Sequence, residues 1–244
     1  MPLLRLLGQV LTRPLDKHFA RCLLCGSGDE VQAGVCASCQ CDLPSLGHAC
    51  IGCALPLAET QDRHFDRYCA TCIQRPPPQA SSVACWAYAY PIAQLVQRFK
   101  YQRDFAAGRT LAELAAQALH PHVQQPPRID ILVPIPMHWR KQLFGRGYNQ
   151  ARLIADIFAD YWRLPVAPDA LRKVAASDSQ QTLSRAQRRK NLAHSFAAGP
   201  QVKDLHVGLV DDVITTGATQ EAAAQSLLAA GASRVSVYAL ARTP

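Results

Sequence analysis

The densest chemistry in the chain lies in Leu209-Val210-Asp211-Asp212-Val213-Ile214-Thr215-Thr216-Gly217-Ala218-Thr219. An apolar strand pattern ends in two adjacent carboxylates. A Thr-Thr-Gly turn follows, and a helical pattern begins. Free backbone N–H groups at a helix start suit a phosphate, and the hydroxyls of Thr215, Thr216 and Thr219 add further donors. Gly217 permits close backbone approach, with Ala218 beside it. Asp211 and Asp212 suit sugar hydroxyls, which donate hydrogen bonds and can share a divalent ion. The segment is neither a Walker loop nor a dinucleotide fingerprint, since the required glycine and lysine spacings are absent. A phosphoacceptor receiver is disfavoured by the Thr-Thr-Gly turn and by its late place in the chain. The plain alternative is a strand–turn–helix with a threonine cap.

The charge pattern supports an anionic ligand. The chain of 244 residues has 26 Lys and Arg against 18 Asp and Glu. Arg140, Lys141, Arg146 and Arg152 fall within 15 residues that contain no acid. Arg172, Lys173, Arg185, Arg188, Arg189 and Lys190 face only Asp178. Without these two segments the chain is nearly balanced, so the basic excess is local and points to a polyanion. The alternative is a pair of solvated faces.

Positioning such residues requires alternating strands and helices. Residues 83–90 and Ile129-Asp130-Ile131-Leu132-Val133 read as strands, the second followed by Pro134-Ile135. Leu205 to Val210 and Val235 to Leu240 read as further strands. Ile92 to Tyr101, Thr110 to Leu119, Asn149 to Trp162 and Thr219 to Ala230 carry helical apolar spacing. The alternation predicts an α/β domain over 82–244, with a parallel sheet flanked by helices and right-handed crossovers.

All ten cysteines precede residue 86. Eight form Cys-x-x-Cys pairs: Cys22/Cys25, Cys36/Cys39, Cys50/Cys53 and Cys69/Cys72. Two such knuckles complete a closed tetrahedral site, so residues 20–75 read as a double zinc-ribbon module with two structural Zn²⁺ ions. Sequential and interleaved pairings both satisfy the spacing. Disulfides and an iron–sulfur cluster are the alternatives. Cys41 and Cys85 read as buried small hydrophobes. Arg75-Pro76-Pro77-Pro78 reads as a stiff linker between the module and the domain. Residues 1–19 read as a short helix. Its apolar run is interrupted by Arg5, is too short to span a bilayer, and has no cleavage site. A membrane-surface role is the alternative for it, and the expected compartment is the cytoplasm.

The acidic pair followed by Thr-Thr-Gly-x-Thr resembles the signature of type I phosphoribosyltransferases. The resemblance narrows when other motifs are taken in order. The cysteine pairs come first, then Phe99-Lys100-Tyr101, Val133-Pro134-Ile135-Pro136, and Arg146-Gly147-Tyr148-Asn149-Gln150-Ala151. Gln180, Leu183, Arg188 and Asn191 follow. This order resembles the ComF family of competence and DNA-utilisation proteins over about residues 20–242. Ser177 stands where the family is expected to have threonine.

The resemblance implies a ligand, phosphoribosyl pyrophosphate with Mg²⁺. Asp211 and Asp212 would face the ribose hydroxyls, and Thr215 to Thr219 would bind the 5′-phosphate. The turn after Pro134 and Ile135 would hold the pyrophosphate, with Arg140, Lys141, Arg146 and Lys100 neutralising it. It implies a glycosyltransferase of the phosphoribosyltransferase type linked to DNA uptake or utilisation. No acceptor pocket and no glutaminase signature is legible. The other reading is a single-stranded-DNA-binding protein, or an adaptor to competence-machinery proteins, with a regulatory or vestigial pocket. Trp139, Phe144 and Tyr148, interleaved with the cations, suit it.

Overall fold

The computed structural model describes residues 21–58, 67–137, 147–174 and 195–244. The segment 1–19 lies outside the described residues. So do Trp139, Arg140, Lys141, Phe144 and Arg146, and so does the stretch from Ser177 to Asn191. Two compact units emerge, Met1–Leu43 and Pro44–Pro244.

The smaller unit has a two-stranded hairpin, β1 (Val31–Gln32) and β2 (Val35–Cys36), and a short helix α1 (Ala37–Cys41). The Gln40 amide donates to the carbonyls of Val35 and Gln32 at 2.9 and 3.3 Å, fastening α1 to the hairpin. Among its described residues few are buried: Cys22, Val35 and Cys36. So small a core depends on a staple. Cys41, expected to be buried, is exposed at the end of α1.

The larger unit is built on one parallel sheet in the order β3-β8-β7-β4. These strands are β3 (Ser81–Ala87), β4 (Ile131–Pro134), β7 (His206–Ile214) and β8 (Arg234–Arg242). The central strands β7 and β8 are buried on both faces, which explains their near-continuous apolar runs. Alternation along them assigns the two faces. Val207, Leu209, Val237 and Ala239 pack with Ala223 and Leu227 of helix α6 (Ala218–Ala229). Tyr238, on the other face, meets Trp162 with ring centroids 5.4 Å apart. Trp162 ends α5 (Gln150–Trp162) and donates its indole N–H to Ala116 of α4 (Phe105–Gln124) at 2.8 Å. Helix α3 (Ile92–Tyr101) completes that layer, and α2 (Ala70–Gln74) carries Cys72 of the last cysteine pair, with Cys69 at its N-cap. A small hairpin of β5 (Leu171–Lys173) and β6 (Phe196–Ala198) packs beside α6.

Several boundaries differ from the sequence reading: β3 ends at Ala87 rather than residue 90, α4 also runs on to Gln124, and two extensions have a local cause. Helix α4 begins at Phe105 rather than Thr110, because the Asp104 carboxylate caps it by accepting from Ala107 N–H at 2.9 Å. Strand β7 continues past Val210 through both aspartates to Ile214. Its neighbour β8 runs alongside, pairing Asp211 with Ala239 and Ile214 with Arg242, and this pairing overrides the poor strand propensity of aspartate.

Candidate phosphate loop and cysteine centres

The acidic pair sits where the sheet opens. Strand β4 pairs with β7 only as far as Pro134 opposite Val210. Ile135 adds one more bond, its N–H donating to Val210 at 2.8 Å, and the chain then departs. From Asp211 onward β7 has no partner on that side among the described residues. A crevice at the carboxyl ends of parallel strands is where ligands of open α/β sheets bind.

Adjacent strand residues point to opposite faces, and the two carboxylates part accordingly. Asp211 lies on the α6 side, where Gln220 donates to it at 2.5 Å. Its other oxygen accepts the Asp212 N–H at 2.8 Å. Asp212 lies on the α3 side and pairs with the Lys100 ammonium at 2.8 Å. Burial, with the neighbouring Asp212 carboxylate, pushes Asp211 up to about 7.

Lys100 is held by the joint between α3 and α4. A Cβ on Gly108 would lie 2.3 Å from the Phe99 ring, so only glycine lets the helices approach this closely. Arg98 binds the Asp104 carboxylate at 2.6 Å, and Tyr148 donates its hydroxyl to the Phe99 carbonyl. The Tyr148 ring packs on Phe99 and Phe105, at 5.6 and 4.8 Å between centroids. This aromatic therefore serves packing. Asn149 caps α5 and donates its amide to Ile135 at 3.0 Å, tying the start of α5 to the end of β4.

Beyond β7, Thr215 and Thr216 are exposed and Gly217 adopts φ +80 before α6 begins. That left-handed backbone turns the chain so that the first N–H groups of α6, at Ala218 and Thr219, open the helix. Buried Arg242 props the loop from behind. It donates to the carbonyls of Thr215 at 2.5 Å and Ile214 at 3.4 Å, and also to Cys53 at 3.0 Å. Sequence reasoning missed Gln220 and Arg242. A lone arginine closing an otherwise apolar strand was the available signal for Arg242.

The eight paired cysteines form two groups in sequential order, Cys22, Cys25, Cys36, Cys39 and Cys50, Cys53, Cys69, Cys72. Within each group the sulfurs lie within 4.8 Å of one another. Zn–S bonds of about 2.3 Å in a tetrahedron place sulfurs about 3.8 Å apart. The distances Cys25–Cys36 and Cys53–Cys69 are both 3.7 Å, far beyond a disulfide. The donor set and spacing fit zinc. The second group has an outer layer as well. Cys69 N–H donates to Cys50 Sγ at 3.2 Å, and burial pushes the Cys53 thiol up to about 11 in the absence of a cation. A Cβ on Gly52 would sit 3.0 Å from Cys72 Sγ and 3.1 Å from Pro77, a tight fit that a larger residue would have to open by a few tenths of an ångström. Cys85 stands apart from both groups, half-buried, with burial raising it to about 12.

These features define an α/β protein with a parallel sheet, a candidate phosphate loop at its carboxyl edge, and two four-cysteine centres. The chain is 30% identical to competence protein F of Haemophilus influenzae over 228 residues, covering 91% of this chain and 96% of that protein. It is 33% identical to the DNA utilization protein YhgH of Salmonella typhimurium over 86% of this chain and 91% of that one. The chain belongs to the competence protein F (ComF) family. No protein-family model matches it. Solved structures with some likeness include the glutamine phosphoribosylpyrophosphate amidotransferase from B. subtilis complexed with ADP and GMP. Its TM-score is 0.39 at 18% identity, and the match covers 59% of this chain and 30% of that one. Another is the purine phosphoribosyltransferase from Pyrococcus horikoshii, with TM-score 0.36 at 14% identity over 55% of this chain and 83% of that one. Among the described residues no helix is long and apolar enough to cross a membrane.

Proposed function

We propose that this chain binds phosphoribosyl pyrophosphate with Mg²⁺ in the crevice beside β7 and acts in the cytoplasm in the utilisation or uptake of DNA. The carrying observation is the carboxyl end of β7, which β4 leaves unpaired beyond Val210 among the described residues, and where Asp211 and Asp212 precede a glycine-led helix start. The carboxylates accept the ribose hydroxyls, and the loop from Thr215 to Thr219 takes the 5′-phosphate. Lys100, already beside Asp212, and the residues after Pro134 and Ile135 would meet the pyrophosphate, with Arg140, Lys141 and Arg146 next in the sequence. Mg²⁺ bound to the diphosphate would neutralise part of its charge. In turnover, a nucleophile adds to C1 as the C1–O bond breaks, and its electron pair leaves on pyrophosphate. Asp211 and Asp212 then act as positioners of the sugar. The two zinc ions are structural. The DNA connection is supported by the names of the two relatives.

Calorimetry with phosphoribosyl pyrophosphate and Mg²⁺ tests the site. The folded, zinc-loaded chain binds, and Asp211→Asn/Asp212→Asn does not. No binding by the wild type overturns the assignment. Pyrophosphate release in a screen of candidate bases tests turnover. Salt-sensitive single-strand binding that survives the double substitution, without pyrophosphate release, would establish the DNA-binding adaptor instead.

A further inference from the structure

The opposite end of the same sheet holds a second cavity, of about 570 Å³, inside the larger unit. It opens where β3, β7 and β8 begin, at Ser81, His206 and Arg234. Eight residue steps along the strand lead from His206 to Ile214, so the two ends of β7 lie roughly 26 Å apart. The cavity is therefore separate from the phosphate loop.

Its lining is cationic and polar. Arg67, Arg234, His122 and His206 contribute, and no acid does among the described residues. A hydrogen-bond chain fixes the polar floor. The Ser81 hydroxyl donates to Ser236 Oγ at 2.9 Å, and Ser236 in turn lies 3.0 Å from His206 Nε2. The other imidazole nitrogen, Nδ1, meets the Arg128 carbonyl at 3.0 Å. A carbonyl can only accept, so Nδ1 carries the proton and Nε2 accepts from Ser236. Burial holds His206 below its ordinary range, which keeps it neutral in this role. With its proton committed to Ser236, Ser81 Oγ is left as an acceptor. The guanidinia of Arg67 and Arg234 remain as the permanent cations.

We infer that this cavity is a second ligand site that takes a nucleoside phosphate. The phosphate is met by Arg67 and Arg234, a sugar hydroxyl or ring N–H donates to Ser81, and the base lies against the Tyr68 ring and the Pro126–Pro127 wall. The volume lies within the range of small-molecule sites. Asp130, behind the floor, is engaged by the His206 backbone N–H at 2.7 Å, and the two permanent cations of the lining favour an anion. Tyr68 is 43% exposed and lines the cavity, offering a flat face to a base. An enclosure of this size favours a mononucleotide over a strand.

The test uses the full zinc-loaded chain and adenosine monophosphate as probe, read by calorimetry. The wild type binds it. Arg67→Gln/Arg234→Gln weakens binding at least tenfold, while Asp211→Asn/Asp212→Asn leaves it unchanged. Both arginines are exposed, so the variant should fold, which a melting curve verifies. Tyr68→Ala reduces the preference for adenosine monophosphate over inorganic phosphate. Failure of the wild type to bind overturns the inference. Loss in the aspartate variant alone also overturns it by placing the probe in the phosphate loop. Binding of oligonucleotide but not mononucleotide overturns the ligand class. None of these outcomes depends on whether phosphoribosyl pyrophosphate binds.

Discussion

The two cysteine centres have the same ligands and the same knuckle spacing, but they occupy different mechanical positions. The first belongs to the small unit and is framed by a two-residue hairpin and one short helix. The second is bolted to the main sheet. The Gly52 carbonyl accepts from Gln79 and Ser82 at 3.0 and 2.9 Å, and Ser82 N–H donates to Ile51 at 2.7 Å. Arg242 joins Cys53 to Thr215 of the candidate phosphate loop. An identical motif can therefore be a local staple in one place and a foundation stone in another. Its surroundings decide the outcome, because a metal-held backbone transmits order only through the groups bonded to it.

The sharpest contrast comes from removing one ligand from each centre. Cys72→Ser should reduce zinc from two ions to one and lower the melting point of the larger unit by roughly 10 °C. It should also weaken phosphoribosyl pyrophosphate binding. Cys39→Ser should lose one zinc equally, yet leave the larger unit's transition in place. Elemental analysis with calorimetry checks both, and equal shifts in the two variants would erase the distinction.

Arg242→Gln severs the bridge and leaves all the cysteines. Truncating a buried charge amid accepting carbonyls costs about 2–4 kcal/mol. Chemical denaturation should show that loss while zinc content stays at two ions. Ligand affinity should fall about tenfold as the loop loses its support.

Acidity separates the loop from the cysteine centre joined to it through Arg242. Asp211 is held up to about 7, so the folded chain keeps its proton longer than the unfolded chain does. This contribution to stability is full at low pH. It is lost as pH rises from the ordinary carboxylate range through about 7. The ligand-free wild type should therefore lose melting temperature between pH 5 and pH 8 relative to Asp211→Asn. Ligand affinity should rise over the same interval, since the ionised carboxylate accepts sugar hydroxyls. A pH-independent difference between the two chains would refute the buried-acid reading.

The smallest effect is expected at Arg75, which follows the last cysteine pair and meets Glu221 of α6 at 3.7 Å. Arg75 is more than half exposed, so Arg75→Gln should cost under about 1 kcal/mol and respond to salt. Thermal melts at low and high salt measure it. A loss as large as that of Arg242→Gln would make this surface pair a second bridge.

Much of the site was legible from residue types alone. The cysteine spacing announced two tetrahedral centres. The aspartate pair and Thr-Thr-Gly announced a strand followed by a turn and a helix start. Helix α3 was readable to its last residue from apolar spacing, because one buried stripe covers it. The end of β7 was not readable, since its extension depends on pairing with β8, a neighbour 20 or more residues away. Cys41 was misread because a short helix in a small unit has little interior to offer a thiol.

By itself the sequence determined which chemistry the chain carries: eight thiols in knuckles, two adjacent carboxylates, a glycine-led loop and local excesses of cations. These are properties of spacing, and spacing is local. Only the tertiary structure decided how they are shared out. It paired the knuckles in sequence, turned Asp211 toward Gln220 and Asp212 toward Lys100, and set Arg242 between Cys53 and Thr215. It also gathered Arg67, Ser81, His206 and Arg234 around one cavity. Those relations join residues far apart in the chain, and they exist only because the parallel sheet brings the strand ends together.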